Sequence, residues 1–182
     1  MAWEMDFLDW IISIRNDFLT GLCKFLTLLG DKGIFWIALC ILLLIIPKTR
    51  KIGLYAGIAL GLQLLLGEVI LKYFIQRDRP FVQNPMIDTI IPVPMGKYSM
   101  PSGHSSSSTA VAVSAFIQNK KLGILLLVIA VMIMLSRLYF CVHFPTDIIA
   151  GAALGTTTAI IVYFTAEHIY KKRREKQRTD KT

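Results

Sequence analysis

Long apolar runs recur along this chain, at about 34–46, 52–75, 122–141 and 147–170, with another ending near 117 behind a polar start. Runs of this length exclude most soluble folds. Inside lipid, only helices and closed barrels satisfy their own backbone hydrogen bonds. Hydrophobic residues make up 54% of the 182 and the mean hydropathy is +0.58, too apolar for an ordinary soluble domain. The pattern predicts an all-α fold, a polytopic membrane helix bundle of about six helices. Five cross the bilayer. The sixth, at about 7–29, is an N-terminal amphipathic helix or a further crossing.

In that first segment Phe7, Ile11, Ile14, Phe18, Leu22, Phe25 and Leu29 keep helical spacing, with Asp9, Ser13, Asn16, Asp17, Thr20 and Lys24 opposite. Gly30-Asp31-Lys32-Gly33 breaks it. The first residues lack a basic stretch and a small-residue cleavage site, so no removable leader is expected. Residues 76–100 carry Pro80, Pro85, Pro92 and Pro94 and read as a loop lying over something. The chain divides into one integral membrane domain, 1–170, and a basic tail, 171–182. Three cysteines without metal-like spacing imply no disulfide framework.

The net charge is +8, much of it in Lys171-Lys172-Arg173-Arg174 and the residues after them. Beside a membrane span such a tail meets anionic lipid headgroups rather than nucleic acid. The basic connections at 47–51 and 118–121 fall on the same side as the tail if each run crosses once. The positive-inside rule makes that side cytoplasmic. The opposite face then gathers the end of the 52–75 run, the proline-rich loop, the start of the next helix at Pro101, and His143 to Asp147. Arg77, Arg79 and Lys97 fall there too, against the charge rule, which points to a task such as holding an anion.

The residues on that face suit such a task. Lys72 and Arg79 are seven residues apart, two turns on one face if the helix continues. With Arg137 they can balance a phosphate group, Arg through forked hydrogen bonds and Lys as a point charge. Snorkelling to lipid headgroups is the plainer use of each cation alone. Ser102 suits a helix N-cap and Gly103 lets a ligand approach the backbone, so free N–H groups there form an anion site. His104 follows directly. His143 and Asp147 are four residues apart. With Pro145 in the first turn of the last helix, Asp147 can accept one imidazole N–H and leave the other nitrogen free. Glu68, one turn before Lys72, reads as its intrahelical partner.

Lys72-x6-Arg79-Pro80, Pro101-Ser102-Gly103-His104 and Ser136-Arg137-x5-His143-x3-Asp147 together resemble the three-part signature of the type 2 phosphatidic acid phosphatase superfamily, in order and in spacing. The likeness extends to the helical layout from about 34 to 170. The resemblance implies a membrane-embedded phosphatase of lipid phosphates or diphosphates that works through a phosphohistidine. His143 would be the nucleophile, His104 the general acid and Asp147 the group orienting His143. Lys72, Arg79, Ser102, Gly103 and Arg137 would hold the phosphoryl oxygens, with no metal and no cofactor. Undecaprenyl diphosphate or a broad range of lipid phosphates is the expected substrate, and phosphatidylglycerol phosphate the alternative. A lipid-phosphate binder or transporter is the reading from a different class. The expected place is a cell membrane, with the site on the outer face and the C-terminus in the cytoplasm.

Overall fold

The computed structural model describes residues 2–92 and 98–179. Pro94 and Lys97 lie outside the described residues, as does the end of the tail after Thr179. Among the described residues every regular element is a helix. Helix α1 covers Ala2–Ser13 and α2 covers Asp17–Gly30. The single helix expected at about 7–29 is therefore two. Asn16 caps α2, its side chain accepting the Leu19 N–H at 2.9 Å. Asn-Asp is a helix-start signal, which the apolar spacing running across it hid. Lys32 and Gly33 then take left-handed backbone, with φ of 50° and 69°, and end α2 where the sequence predicted a break.

Helix α3 is Ile34–Ile45 and α4 is Arg50–Leu64. A π-helical turn, Leu65–Leu71, carries α4 into the short α5, Lys72–Ile75. Gln76 is left-handed, with φ 49°, and ends it. The helix thus ends at about 75, as the sequence predicted, and the condition under which Lys72 and Arg79 would share one helical face is not met. Arg79 instead precedes a four-residue helix, α6, at Pro80–Gln83, inside the loop predicted to be irregular. Helices α7 (Gly103–Gln118), α8 (Lys120–Tyr139) and α9 (Pro145–Thr179) complete the bundle.

Among the described residues, four helical stretches are long and apolar enough to cross a membrane: Asp17–Ile45, Arg50–Gln83, Lys120–Tyr139 and Pro145–Thr179. Large apolar side chains such as Ile41, Ile58, Leu125, Leu135 and Phe164 face outward, while Gln63, Ser106, Ser107 and Thr109 are buried. That inverted distribution suits a lipid solvent, where polar groups gain by facing one another. Helix α7 is the hub and packs against α9, α8 and α4. Its contact with α9 depends on two glycines. A Cβ at Gly151 would stand 2.5 Å from the Ser102 carbonyl oxygen, and one at Gly155 would strike the Ser106 carbonyl and come within 2.9 Å of the Ala110 nitrogen. Small residues at this spacing let two backbones approach. Gln63 fastens α4 to the same helix, donating to Ser107 Oγ at 2.7 Å and accepting from Ser106 Oγ at 2.6 Å.

The start of α7, the end of α8 and the start of α9 lie at one end of the bundle, because consecutive helices run in opposite directions. The N-terminal segment joins them there. Asn16 N–H donates to the Tyr139 hydroxyl at 3.2 Å, and Thr20 Oγ1 lies 2.8 Å from the same oxygen. At the other end of α2, Gly30 abuts the His104 ring. Both ends of α2 are thus at the same end of the bundle.

Candidate active site

The segment between α8 and α9 holds the first part of the site. Cys141 adopts a left-handed conformation, φ 51°, and turns the chain so that Val142, His143 and Phe144 are buried. Pro145 opens α9, as its fixed φ allows. Asp147, in the first turn, is fully buried. Its Oδ2 accepts the Phe144 N–H at 2.8 Å and lies 3.6 Å from His143 Nδ1. That separation exceeds a hydrogen bond; it places the carboxylate beside the imidazole and leaves Nδ1 with no hydrogen bond among the described residues. Burial first, then the charges of Arg79, Arg137 and Lys72, hold the His143 pKa well below the ordinary histidine value. This imidazole is therefore neutral at physiological pH.

The second part comes from α5, α7 and α8. Lys72, Arg79, Gly103, His104, Arg137 and His143 all line one cavity of about 610 Å³. The two remaining predicted residues sit behind it. Ser102 caps α7, its Oγ accepting the Ser105 N–H at 3.4 Å, and its own N–H donates to the Asp147 carbonyl at 3.0 Å. The helix that presents its N-terminus to the cavity is thereby tied to the helix that carries Asp147. Gly103 admits the Glu68–Lys72 pair, which closes at 2.6 Å, because a Cβ there would strike Glu68 Oε1. Arg79 Nη1 donates to the Val142 carbonyl at 2.8 Å and so holds the residue before His143. His104 Nε2 and Arg137 Nε are buried without a hydrogen bond among the described residues. Unpaired buried polar atoms are costly, and both belong to side chains that line the cavity. Among the described residues no three His, Cys, Asp or Glu side chains are grouped to hold a metal ion.

The third part was not legible in the sequence. Helix α2 walls the cavity with Lys24, Thr27 and Leu28, and the turn after it adds Asp31 and Lys32. Thr27 Oγ1 accepts a hydrogen bond from Arg137 Nη1. Arg77 donates to Asp147 Oδ1 at 2.6 Å through Nη1 and to Glu4 Oε2 at 2.6 Å through Nη2. Only Arg77's place on the unusual face could have pointed to it. Nothing local marks Glu4 or Thr27, whose partners are 73 and 110 positions away.

Fold and site together define a multi-pass helical membrane protein with a cation-lined cavity at one end of its bundle. The chain belongs to the PAP2 superfamily, whose sequence model matches residues 52–170. Among its relatives, an undecaprenyl-diphosphatase from Sulfolobus acidocaldarius is 40% identical over 140 residues, which cover 76% of this chain and 66% of that protein. The phosphatidylglycerophosphatase B of Bacillus subtilis is 33% identical over 60% of this chain and 56% of its own length. The chain thus spans just under two thirds of the first and little more than half of the second. Among solved structures, a transmembrane PAP2-type phosphatidylglycerolphosphate phosphatase from Bacillus subtilis matches with a TM-score of 0.77 at 27% identity, over 92% of this chain and 86% of that one. Aquifex aeolicus LpxE matches with a TM-score of 0.78 at 25% identity, over 90% and 96%.

Proposed function

We propose that this chain is a metal-independent lipid phosphatase that hydrolyses a phosphomonoester or diphosphate at the outer membrane face. The observation that carries the reading is the convergence of three separated motifs on one cavity, with His143 backed by Asp147 and faced by cations. The His143 nitrogen remote from Asp147 attacks phosphorus. The bond to the leaving oxygen breaks as His104 gives that oxygen a proton. Water, giving a proton to His104, then attacks the phosphohistidine; the P–N bond breaks and both histidines are restored. Covalent catalysis divides one hard displacement into two easier ones. Lys72, Arg79, Arg137 and the N–H groups after Ser102 stabilise charge on the equatorial oxygens, as a metal does elsewhere.

The undecaprenyl-diphosphatase relative supports a polyprenyl diphosphate as substrate. The phosphatidylglycerophosphatase relative and the solved phosphatidylglycerolphosphate phosphatase support the alternative. The outer-face assignment rests on helix polarity: the basic connections at 47–51 and 118–121 and the end of α9 lie at the bundle end opposite the cavity. A panel of undecaprenyl diphosphate, phosphatidylglycerol phosphate, phosphatidic acid and a soluble aryl phosphate, assayed in EDTA, tests the proposal. Metal-free phosphate release from at least one lipid is the expected result. Tight binding of the lipids with no release would replace the enzyme with a lipid-phosphate binder or transporter.

A further inference from the structure

We propose that Glu4 is a positioning residue of this site, acting through Arg77 on the Asp147 carboxylate that backs His143. Glu4 is fully buried on α1, and a buried carboxylate is tolerated only when it is paired and hydrogen-bonded. Both of its oxygens are engaged. Oε2 takes Arg77 Nη2 at 2.6 Å, while Oε1 accepts from Thr146 Oγ1 at 2.6 Å and from the Thr146 N–H at 3.3 Å. Thr146 is the second residue of α9, so Glu4 also satisfies a free N–H in the first turn of the helix that carries Asp147.

Arg77 is the link between the two carboxylates. Its planar fork offers Nη2 to Glu4 and Nη1 to Asp147 Oδ1, a division a lysine ammonium cannot reproduce. The guanidinium also stacks on Phe144, with Cζ 4.1 Å from the ring centroid. It therefore touches both residues that flank His143 in this corner. With Oδ1 held by Arg77 and Oδ2 by the Phe144 N–H, the carboxylate has one orientation. Glu4 fixes Arg77 from behind, so that Arg77 is not drawn fully onto Asp147. An anchor that merely docked α1 would not need to share its cation with the residue beside the candidate nucleophile.

The inference rests on the phosphatase reading, and the test separates the two. Glu4→Gln, Arg77→Gln, Arg77→Lys and the double variant Glu4→Gln/Arg77→Gln are compared with His143→Ala, using phosphatidic acid in detergent micelles and a soluble aryl phosphate. Size-exclusion profile and thermal midpoint report the folded fraction. Among folded protein, kcat should fall about tenfold or more in Glu4→Gln and further in Arg77→Gln, with KM within about twofold, because misplacement of a catalytic group costs rate rather than binding. Arg77→Lys should not restore kcat. The double variant should match Arg77→Gln alone, since a glutamine oxygen at position 4 still accepts from Thr146 and only the route through Arg77 is lost. It also removes the unmatched Glu4 charge that Arg77→Gln alone leaves buried beside Asp147, so it can be read even where Arg77→Gln does not fold.

Wild-type kcat in folded Glu4→Gln, or in the double variant, overturns the inference. So does a loss confined to the thermal midpoint or to KM. Phosphate release that survives His143→Ala removes His143 from the nucleophile role and overturns the inference; no release by the unaltered chain from phosphatidic acid, the aryl phosphate, undecaprenyl diphosphate or phosphatidylglycerol phosphate overturns the phosphatase reading as well.

Discussion

At the scale of single residues, the proposed mechanism divides the site into groups that would react and groups that would hold them. His143→Ala should lower kcat about 10⁴-fold or more, the usual consequence of removing a nucleophile. Single-turnover phosphate release checks it, and a near-normal rate would remove His143 from that role. His104→Asn tests a different step. An acid that protonates the leaving oxygen contributes about 10²–10⁴-fold, and most where that oxygen leaves poorly. The variant should lose far more rate on an alkyl phosphate lipid than on an aryl phosphate; equal losses would assign His104 to binding. The pH dependence follows from the burial of His143 and the cations around it, which hold its pKa below the ordinary value. A lowered pKa means that the inactivating proton binds only at lower pH. The acid limb of kcat/KM should therefore lie below pH ~6.5, and Lys72→Met, which removes one of those charges, should move it upward. An acid limb near neutrality in the unaltered protein, or no movement in the variant, would contradict the electrostatics.

At the scale of elements, close backbone packing between α7 and α9 keeps the two halves of the site in register. Gly151→Ala places a methyl 2.5 Å from the Ser102 carbonyl and 2.9 Å from the Ser105 Cβ, so the start of α7 must move. Overpacking of this kind costs about 1–3 kcal/mol. The measurable outcome is a lower thermal midpoint together with reduced kcat/KM, because the displaced segment includes Ser102, Gly103 and His104. The elements also show which features the sequence made legible. Pro101 to His104 and His143 to Asp147 carry their chemistry within a few residues at predicted helix starts, and both lie where that placement put them. Lys72 and Arg79 reach the same cavity by a route the spacing did not reveal, since the left-handed Gln76 interrupts their helix. The Asn16 cap was hidden by periodicity continuing across it. Glu4, Thr27 and Arg77 gain meaning only from partners that folding brings near, and no local pattern encodes that.

On the scale of the whole molecule, helix polarity predicts which loops share a compartment. In a cysteine-free background, cysteine introduced at exposed Met86 and at exposed Arg174 should react oppositely with a membrane-impermeant maleimide in intact cells, Met86→Cys labelled and Arg174→Cys protected. Labelling of both, or the reverse, would overturn the outer-face assignment. Helix α2 bears on how the molecule meets its reactant. Thr27 is buried toward the cavity while Phe18 and Phe25 are bare. For the lipid phosphate proposed above, a partition formed by this helix, greasy outside and polar inside, would let the head slide inward while the chains never leave the film. Turnover should then follow the mole fraction of amphiphile within each micelle and fall when inert detergent is added at constant bulk concentration.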